Sequence, residues 1–118
     1  MTLAEFRDHC ARFPGFTEDL PFDASTLAFR VGGKIFALMD VDLFTSVNLK
    51  CDPERAIDLR ERFGGITPGY HMNKAHWNTV TTDGSVPAAL LLELARHSYD
   101  LVRASLPARA RRELEQGA

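Results

Sequence analysis

The chain of 118 residues suffices for one domain with a hydrophobic core and is too short for two ordinary domains. Its hydrophobic fraction of 45% and charged fraction of 25% are typical of a water-soluble globular protein, and no apolar run reaches the roughly 20 residues that span a membrane. A net charge of −2 argues against a domain that holds nucleic acid by bulk attraction, because such domains are usually strongly basic, so any basic surface must be local.

A helix and a loop are predicted at the N-terminus. Thr2 followed by Glu5 fits a capping box, and apolar residues recur at helical spacing as far as Phe13. Pro14 and the glycine after it stop this helix. We therefore predict that residues 14–25 form a loop, which its apolar side chains fasten to the core.

Three strands are predicted next. Residues 27–31 alternate between apolar and other side chains, and the Gly32-Gly33 pair is a hairpin turn signal before a second strand at residues 34–40. A weaker turn leads to a third strand at residues 46–50. Residues 35–39 are apolar on both faces, which predicts that a second layer or an interface covers part of the other face of the second strand.

The second half of the chain is predicted to contribute a helix, a hairpin and a long last helix. Asp52 before a proline is a helix start signal. Residues 66–72 and 76–82 are interpreted as short strands around a turn, and the last helix begins near Pro87 with a long buried stripe. The charged residues 108–118 are predicted to form a short or frayed helical tail.

Together these elements predict a single domain, residues 1–118, of the α+β class. The order helix, three strands, helix, two strands, helix, with hairpin-length connections, implies a two-layer fold in which helices pack mainly on one face of an antiparallel sheet. Two cysteines without metal-ligand spacing, and an N-terminus without an apolar signal core, predict a reduced, cytoplasmic protein with no membrane association.

The segment GYHMNKAHWNTV, from Gly69 to Val80, is the richest in chemical groups. Its histidines, His71 and His76, lie on either side of a predicted turn with no third ligand nearby, so we predict no metal site. Cys51 stands where a helix N-terminus could activate a thiolate, but no nucleophile motif or phosphate-binding glycine loop accompanies it. We therefore predict no catalytic residue and no cofactor. An enzyme is a third hypothesis, which would need a deep pocket that joins His71 or His76 to an acid or to Cys51.

Trp77 has two interpretations. If it is buried, it anchors its strand to the core, and if it is exposed, its ring could stack on a base. We favour the buried position because Trp77 alternates with Thr79 in a short strand next to helices. His76 and Asn78 then lie on the opposite face, where they are candidates for surface recognition.

Lysines mark both predicted hairpins. Lys34 follows the first turn and Lys74 lies in the second, so two basic tips could reach phosphates, as the β-ribbons of some DNA-binding proteins do. Lys50 ends the third strand and is a further candidate for phosphate contact, while His76 and Asn78 would contact sugar or base edges. The alternative for each lysine is an ordinary solvated side chain.

Five segments, found in order over nearly the whole chain, carry a family resemblance. They are TLAFRVGGKIFAL, SVNLKCDPERAIDLRERF, PGYHMNKAHWNTVTTDGSVP, HSYDLV and ASLPARARREL. The chain resembles the MmcQ/YjbR family of small bacterial proteins. This resemblance implies an α-β3-α-β2-α architecture similar to that of secretion chaperones, and DNA binding in which the hairpins with Lys34 and Lys74 act as a double wing. The family often has a second basic residue where this chain has Ala75, which together with the net charge predicts weak or auxiliary binding.

Two functions of different classes follow from these observations. The first is a non-enzymatic DNA-binding protein that uses the two basic-tipped hairpins. The second is a protein-interaction or chaperone-like module with no nucleic-acid role. In that case a homodimer or a partner peptide would cover one side of the second strand, either Phe36 and Leu38 or Ile35, Ala37 and Met39.

Overall fold

The computed structural model describes residues 1–69 and 72–117 of the chain. Tyr70, His71 and Ala118 lie outside these ranges, and so do the expectations placed on His71. No helix within the described ranges is long and apolar enough to cross a membrane. The helices are α1 (Leu3–Cys10), α2 (Pro53–Arg62), α3 (Ala88–Ala104) and α4 (Ala108–Gly117), and the strands are β1 (Phe16–Asp19), β2 (Thr26–Val31), β3 (Lys34–Asp40), β4 (Ser46–Lys50), β5 (Ile66–Pro68) and β6 (Trp77–Thr81).

Two helix starts and the first hairpin turn follow directly from local sequence. Thr2 and Glu5 form the predicted capping box at the start of α1, and the Asp52 side chain caps α2. Gly32 and Gly33 have φ angles of 58° and 81°. Two successive residues with positive φ characterise the tight hairpin turn whose twist matches that of the strands, and a glycine pair adopts it without strain.

The six strands form one antiparallel sheet in the order β1-β2-β3-β4-β6-β5, which confirms the α+β class. β1 corrects the prediction of a loop over residues 14–25, since Phe16–Asp19 pair with β2 at the edge of the sheet. This strand has only four residues, and the turn-forming residues Pro14 and Pro21 lie close on either side. Its formation depends on the free edge of β2, which is an interaction that local sequence does not reveal.

The four described helices pack on one face of the sheet. Phe6 of α1 stacks on Phe29 of β2 with 5.9 Å between ring centroids, and Tyr99 of α3 contacts Phe36 of β3 at 5.6 Å. α2 packs against β5 and β6, and Leu114 of α4 packs against the same core. We call the opposite side of the sheet the open face. Pairing and burial place on it Ala28, Arg30, Ile35, Leu38, Asn48, Lys50, Trp77 and Thr79.

A bulge in β3 explains the apolar run in that strand. Phe29 pairs with Ala37 and Arg30 pairs with Ile35, so Phe36 is an extra residue on β3. Phe36 and Ala37 both face the helices and are fully buried, while Ile35 lies on the open face and is half-buried. The bulge therefore turns two successive residues of the apolar run toward the core. Among the described residues, no second layer covers the open face of β3.

Candidate functional site

The directions of the strands bring both hairpin tips to one end of the sheet. β3 begins with Lys34 directly after the first turn, and β4 runs antiparallel to it and ends with Lys50. Lys50 pairs with Trp77, the first residue of β6, so the turn that holds Lys74 lies at this same end. We call this region, defined by Lys34, Lys50 and Lys74, the lysine end.

The lysine end contains every lysine of the chain. The six ion pairs formed among the described residues all use arginine, so none of the lysines is paired with a carboxylate there. Lys34 and Lys74 are exposed and Lys50 is half-buried, and Lys34 Nζ lies 3.5 Å from Ser105 Oγ. Ammonium groups without a carboxylate partner are available to an anionic ligand.

Carboxylates are grouped at the other end of the sheet. Asp40 and Asp42 lie where β3 ends, Asp23 precedes β2, and Asp83 follows β6. At the lysine end, Asp52 is close in sequence to Lys50, but its carboxylate accepts a backbone N–H of α2. The three lysines and these four aspartates therefore lie at opposite ends of the strands.

Asn78 is buried, so the prediction that it is displayed for surface recognition was wrong. It is 2% exposed and faces the helices together with Val80. Arg60 Nε donates to Asn78 Oδ1 at 2.7 Å, and Asn78 Nδ2 donates to the carbonyl oxygen of Ala56 at 3.4 Å. Trp77 consequently lies half-buried on the open face, and the expectation that it anchors the core was also wrong.

Sequence reasoning missed Arg60, which connects α2 to the second hairpin. Besides its bond to Asn78, its Nη2 donates to the backbone oxygen of Lys74. A signal was present, because Arg60 stands four residues after the inward-facing Ala56 and therefore lies on the same side of α2. An arginine on such a stripe needs a polar partner in the core.

Backbone hydrogen bonds close the turn that carries Lys74. The carbonyl oxygen of Asn73 accepts the N–H of His76 at 3.1 Å and that of Trp77 at 2.9 Å. The carbonyl oxygen of His76 in turn accepts the N–H of Cys51 at 2.8 Å, which joins the turn to the end of β4. His76 is exposed, as predicted. The turn therefore holds Lys74 and His76 in a defined position beside β4.

The structure gives Cys51 a buried position. Burial raises the pKa of its thiol, so the reactive thiolate form is less populated at neutral pH. Cys51 lines a cavity of about 10 Å³, and a second, open groove of about 510 Å³ between α1 and α3 is lined by His9 and Arg96 among others. Neither cavity contains His76. Within the described ranges, no three His, Cys, Asp or Glu side chains are grouped as metal ligands would be.

The neutral form of His97 is expected to stabilise the start of α2. His97 Nε2 accepts the N–H of Asp52 at 3.2 Å, and burial, followed by the positive charge of Arg55, lowers the pKa of His97 from its ordinary value of 6.5. Because the folded-state pKa lies below the unfolded one, this stabilisation is present above pH 6.5 and is lost as the pH falls through the folded-state pKa. Between about pH 7.5 and about pH 5.5, we expect the melting temperature of the wild type to fall further than that of His97→Gln, which keeps an acceptor but does not titrate. Equal decreases would contradict this role.

Comparisons with known proteins bear on the family. The YjbR family model matches residues 11–101. Escherichia coli K-12 protein YjbR is 34% identical over 117 residues, which cover 98% of this chain and 99% of that protein, and protein YbdF of Escherichia coli O157:H7 is 36% identical over 82% of this chain and 80% of its own length. The crystal structure of Deinococcus radiodurans protein DR2400 has a TM-score of 0.91 at 44% identity, and the match covers 97% of this chain and 88% of that one. The chain therefore belongs to the YjbR family, as its sequence motifs predicted.

Proposed function

We propose that the chain is a non-enzymatic DNA-binding protein that contacts phosphates through its lysine end. The observation that carries this proposal is the grouping of Lys34, Lys50 and Lys74 at one end of the sheet, without carboxylate partners among the described residues. In a chain with a net charge of −2, the grouping of these three lysines at one end of the sheet favours a polyanionic ligand.

The spacing of the lysines fits a nucleic-acid backbone. They lie on β3, on β4 and in the turn before β6, which are neighbours in the sheet, although Lys34 is on the helix-covered side beside Ser105 and Lys50 is on the open face. Adjacent strands lie about 4.8 Å apart, so these positions cover on the order of 10 Å. Lysine side chains are long and flexible, so their ammonium groups can reach neighbouring phosphates of one backbone from this rim.

Binding is expected to be weak and sensitive to salt. The carboxylates at the other end of the sheet and the net charge of −2 remove any long-range attraction between the whole protein and DNA. Only the local contacts contribute. If three phosphates are neutralised, the slope of log affinity against log salt concentration on duplex DNA should be about −2.7.

At low salt, the triple variant Lys34→Gln/Lys50→Gln/Lys74→Gln is expected to bind DNA at least about tenfold more weakly than the wild type. Its salt slope should be close to zero, because the phosphate contacts are gone. Fluorescence anisotropy with labelled duplex and single-stranded DNA, at low and at physiological ionic strength, measures both quantities.

A matched control removes three positive charges elsewhere. Arg7→Gln/Arg12→Gln/Arg62→Gln changes exposed arginines on or next to α1 and α2, and it alters the net charge by the same amount. This control should keep most of the affinity. A wild type that fails to bind at low salt, or equal losses in both triple variants, would overturn the proposal.

A protein-interaction role is the second candidate, and exposed apolar side chains favour it. Phe22 and Leu43 are 70% and 73% exposed, and Leu20 is half exposed, in loops at the end of the sheet opposite the lysines. Solvent-exposed aromatic and leucine side chains in one region are typical of a contact surface. Light scattering of DNA-free protein should then show a concentration-dependent oligomer that Phe22→Ser dissociates. A monomer at all concentrations, together with a pull-down that enriches no partner protein, counts against this role.

A further inference from the structure

Trp77, the only tryptophan of the chain, lies on the open face beside a lysine. Its cross-strand neighbour on β4 is Lys50. On its other side, the N–H of Gly69 donates to the carbonyl oxygen of Trp77 at 2.8 Å, and a Cβ atom on Gly69 would lie 2.7 Å from Trp77 Cβ, so only glycine fits beside the indole-bearing residue. The neighbouring pair further along the strands, Asn48 and Thr79, is polar and uncharged. A half-buried indole with a lysine on one flank and a glycine on the other is suited to stacking on a base.

Neither hairpin tip projects from the body as a free wing. A Cβ atom on Gly32 would lie 2.6 Å from Leu106 Cδ1, so the first tip rests against the connection between α3 and α4. The second tip is held by Arg60, which donates to the backbone oxygen of Lys74. A β-ribbon that reads duplex DNA must enter a groove, whereas both tips here are held against the body of the domain.

We infer that the open face binds single-stranded DNA, with one base stacked on Trp77 and the flanking phosphates on Lys50 and Lys74. This inference rests on the proposed function and adds the form of DNA that the site takes. Bases in a duplex are paired and stacked on one another, so a sheet face cannot reach their rings, but unpaired bases offer them freely. Every base has such a face, so the site is expected to have little sequence preference.

Trp77 is itself the probe for the experiment. Titration of the wild type with an unlabelled thymidine oligonucleotide should quench the tryptophan emission, with the same midpoint as an anisotropy titration. At equal length and salt, single-stranded DNA should bind more tightly than duplex. Trp77→Leu should lower the affinity for single strands by about tenfold or more and leave the duplex affinity unchanged, while Trp77→Phe should retain most of the binding.

Phe22→Leu is the matched control, because it removes an exposed aromatic ring at the other end of the sheet. It should bind single strands as the wild type does. If the wild type binds single-stranded and duplex DNA equally and without quenching, the single-strand inference is overturned while the proposed function stands. If it binds neither, the proposed function itself fails. Should Trp77→Leu unfold, quenching of the wild type and the affinity of Trp77→Phe decide the question.

Discussion

Ser98→Val is expected to lower the free energy of unfolding by about 2–4 kcal/mol, because it leaves a buried carbonyl oxygen and a partly buried N–H without partners. Ser98 is 0% exposed. Its hydroxyl donates to the carbonyl oxygen of Phe36 at 2.5 Å and accepts the N–H of Lys50 at 2.9 Å. Phe36 is the bulged residue, so it lies outside the regular ladder of β3, and Lys50 is the last residue of β4. The Ser98 hydroxyl therefore provides hydrogen bonds to one backbone group of β3 and one of β4 that lack a partner in the sheet.

Urea denaturation followed by circular dichroism measures this loss. Ser105→Ala is a suitable control, since it removes a serine hydroxyl that donates to the Val102 carbonyl oxygen at the exposed end of α3. That change should cost about 1 kcal/mol or less, because water can replace the bond. If Ser98→Val lies as close to the wild type as the control does, the hydroxyl does not bridge the two strands in solution.

The parts of the fold that sequence predicts are those whose causes lie within a few residues. A capping box needs only Thr2 and Glu5, and the first hairpin turn needs only Gly32 and Gly33. Lys34 and Lys74 were placed at hairpin tips for the same reason. Whether those two tips share one end of the sheet depends on β6 lying next to β4 with β5 at the edge, and hairpin connectivity alone does not determine that order.

The parts that sequence does not predict depend on partners far along the chain. β1 pairs with β2 only because that edge is free, and nothing in residues 16–19 requires it. The reversal of Trp77 and Asn78 has the same origin. A tryptophan is normally the better core residue, but the guanidinium of Arg60 on α2 donates a hydrogen bond to the side-chain amide of Asn78 and so allows this asparagine to be buried. Alternation within a strand gives two sets of residues, and only tertiary contacts decide which set faces the core.

Arg60→Met is expected to lower the free energy of unfolding by about 2–4 kcal/mol, because it leaves Asn78 Oδ1 buried without its partner and removes a bond to the second hairpin. Arg60 Nε lies 2.7 Å from Asn78 Oδ1, and its Nη2 donates to the backbone oxygen of Lys74. A single ammonium group does not reproduce this two-sided contact, so Arg60→Lys should recover only part of the loss. Urea denaturation measures the stability, and anisotropy measures whether the loosened turn weakens DNA binding.

A double-mutant cycle with Asn78→Leu separates the two roles of Arg60. Asn78→Leu alone should destabilise the fold, and Arg60→Met/Asn78→Leu should be more stable than the sum of the single changes predicts, since both buried polar partners are gone. The bond to Lys74 is absent from the double variant, so its DNA affinity should stay below that of the wild type even where its stability recovers. Recovery of both quantities together would mean that Arg60 serves only to satisfy Asn78. Recovery of stability alone would mean that Arg60 also positions the lysine end for its ligand.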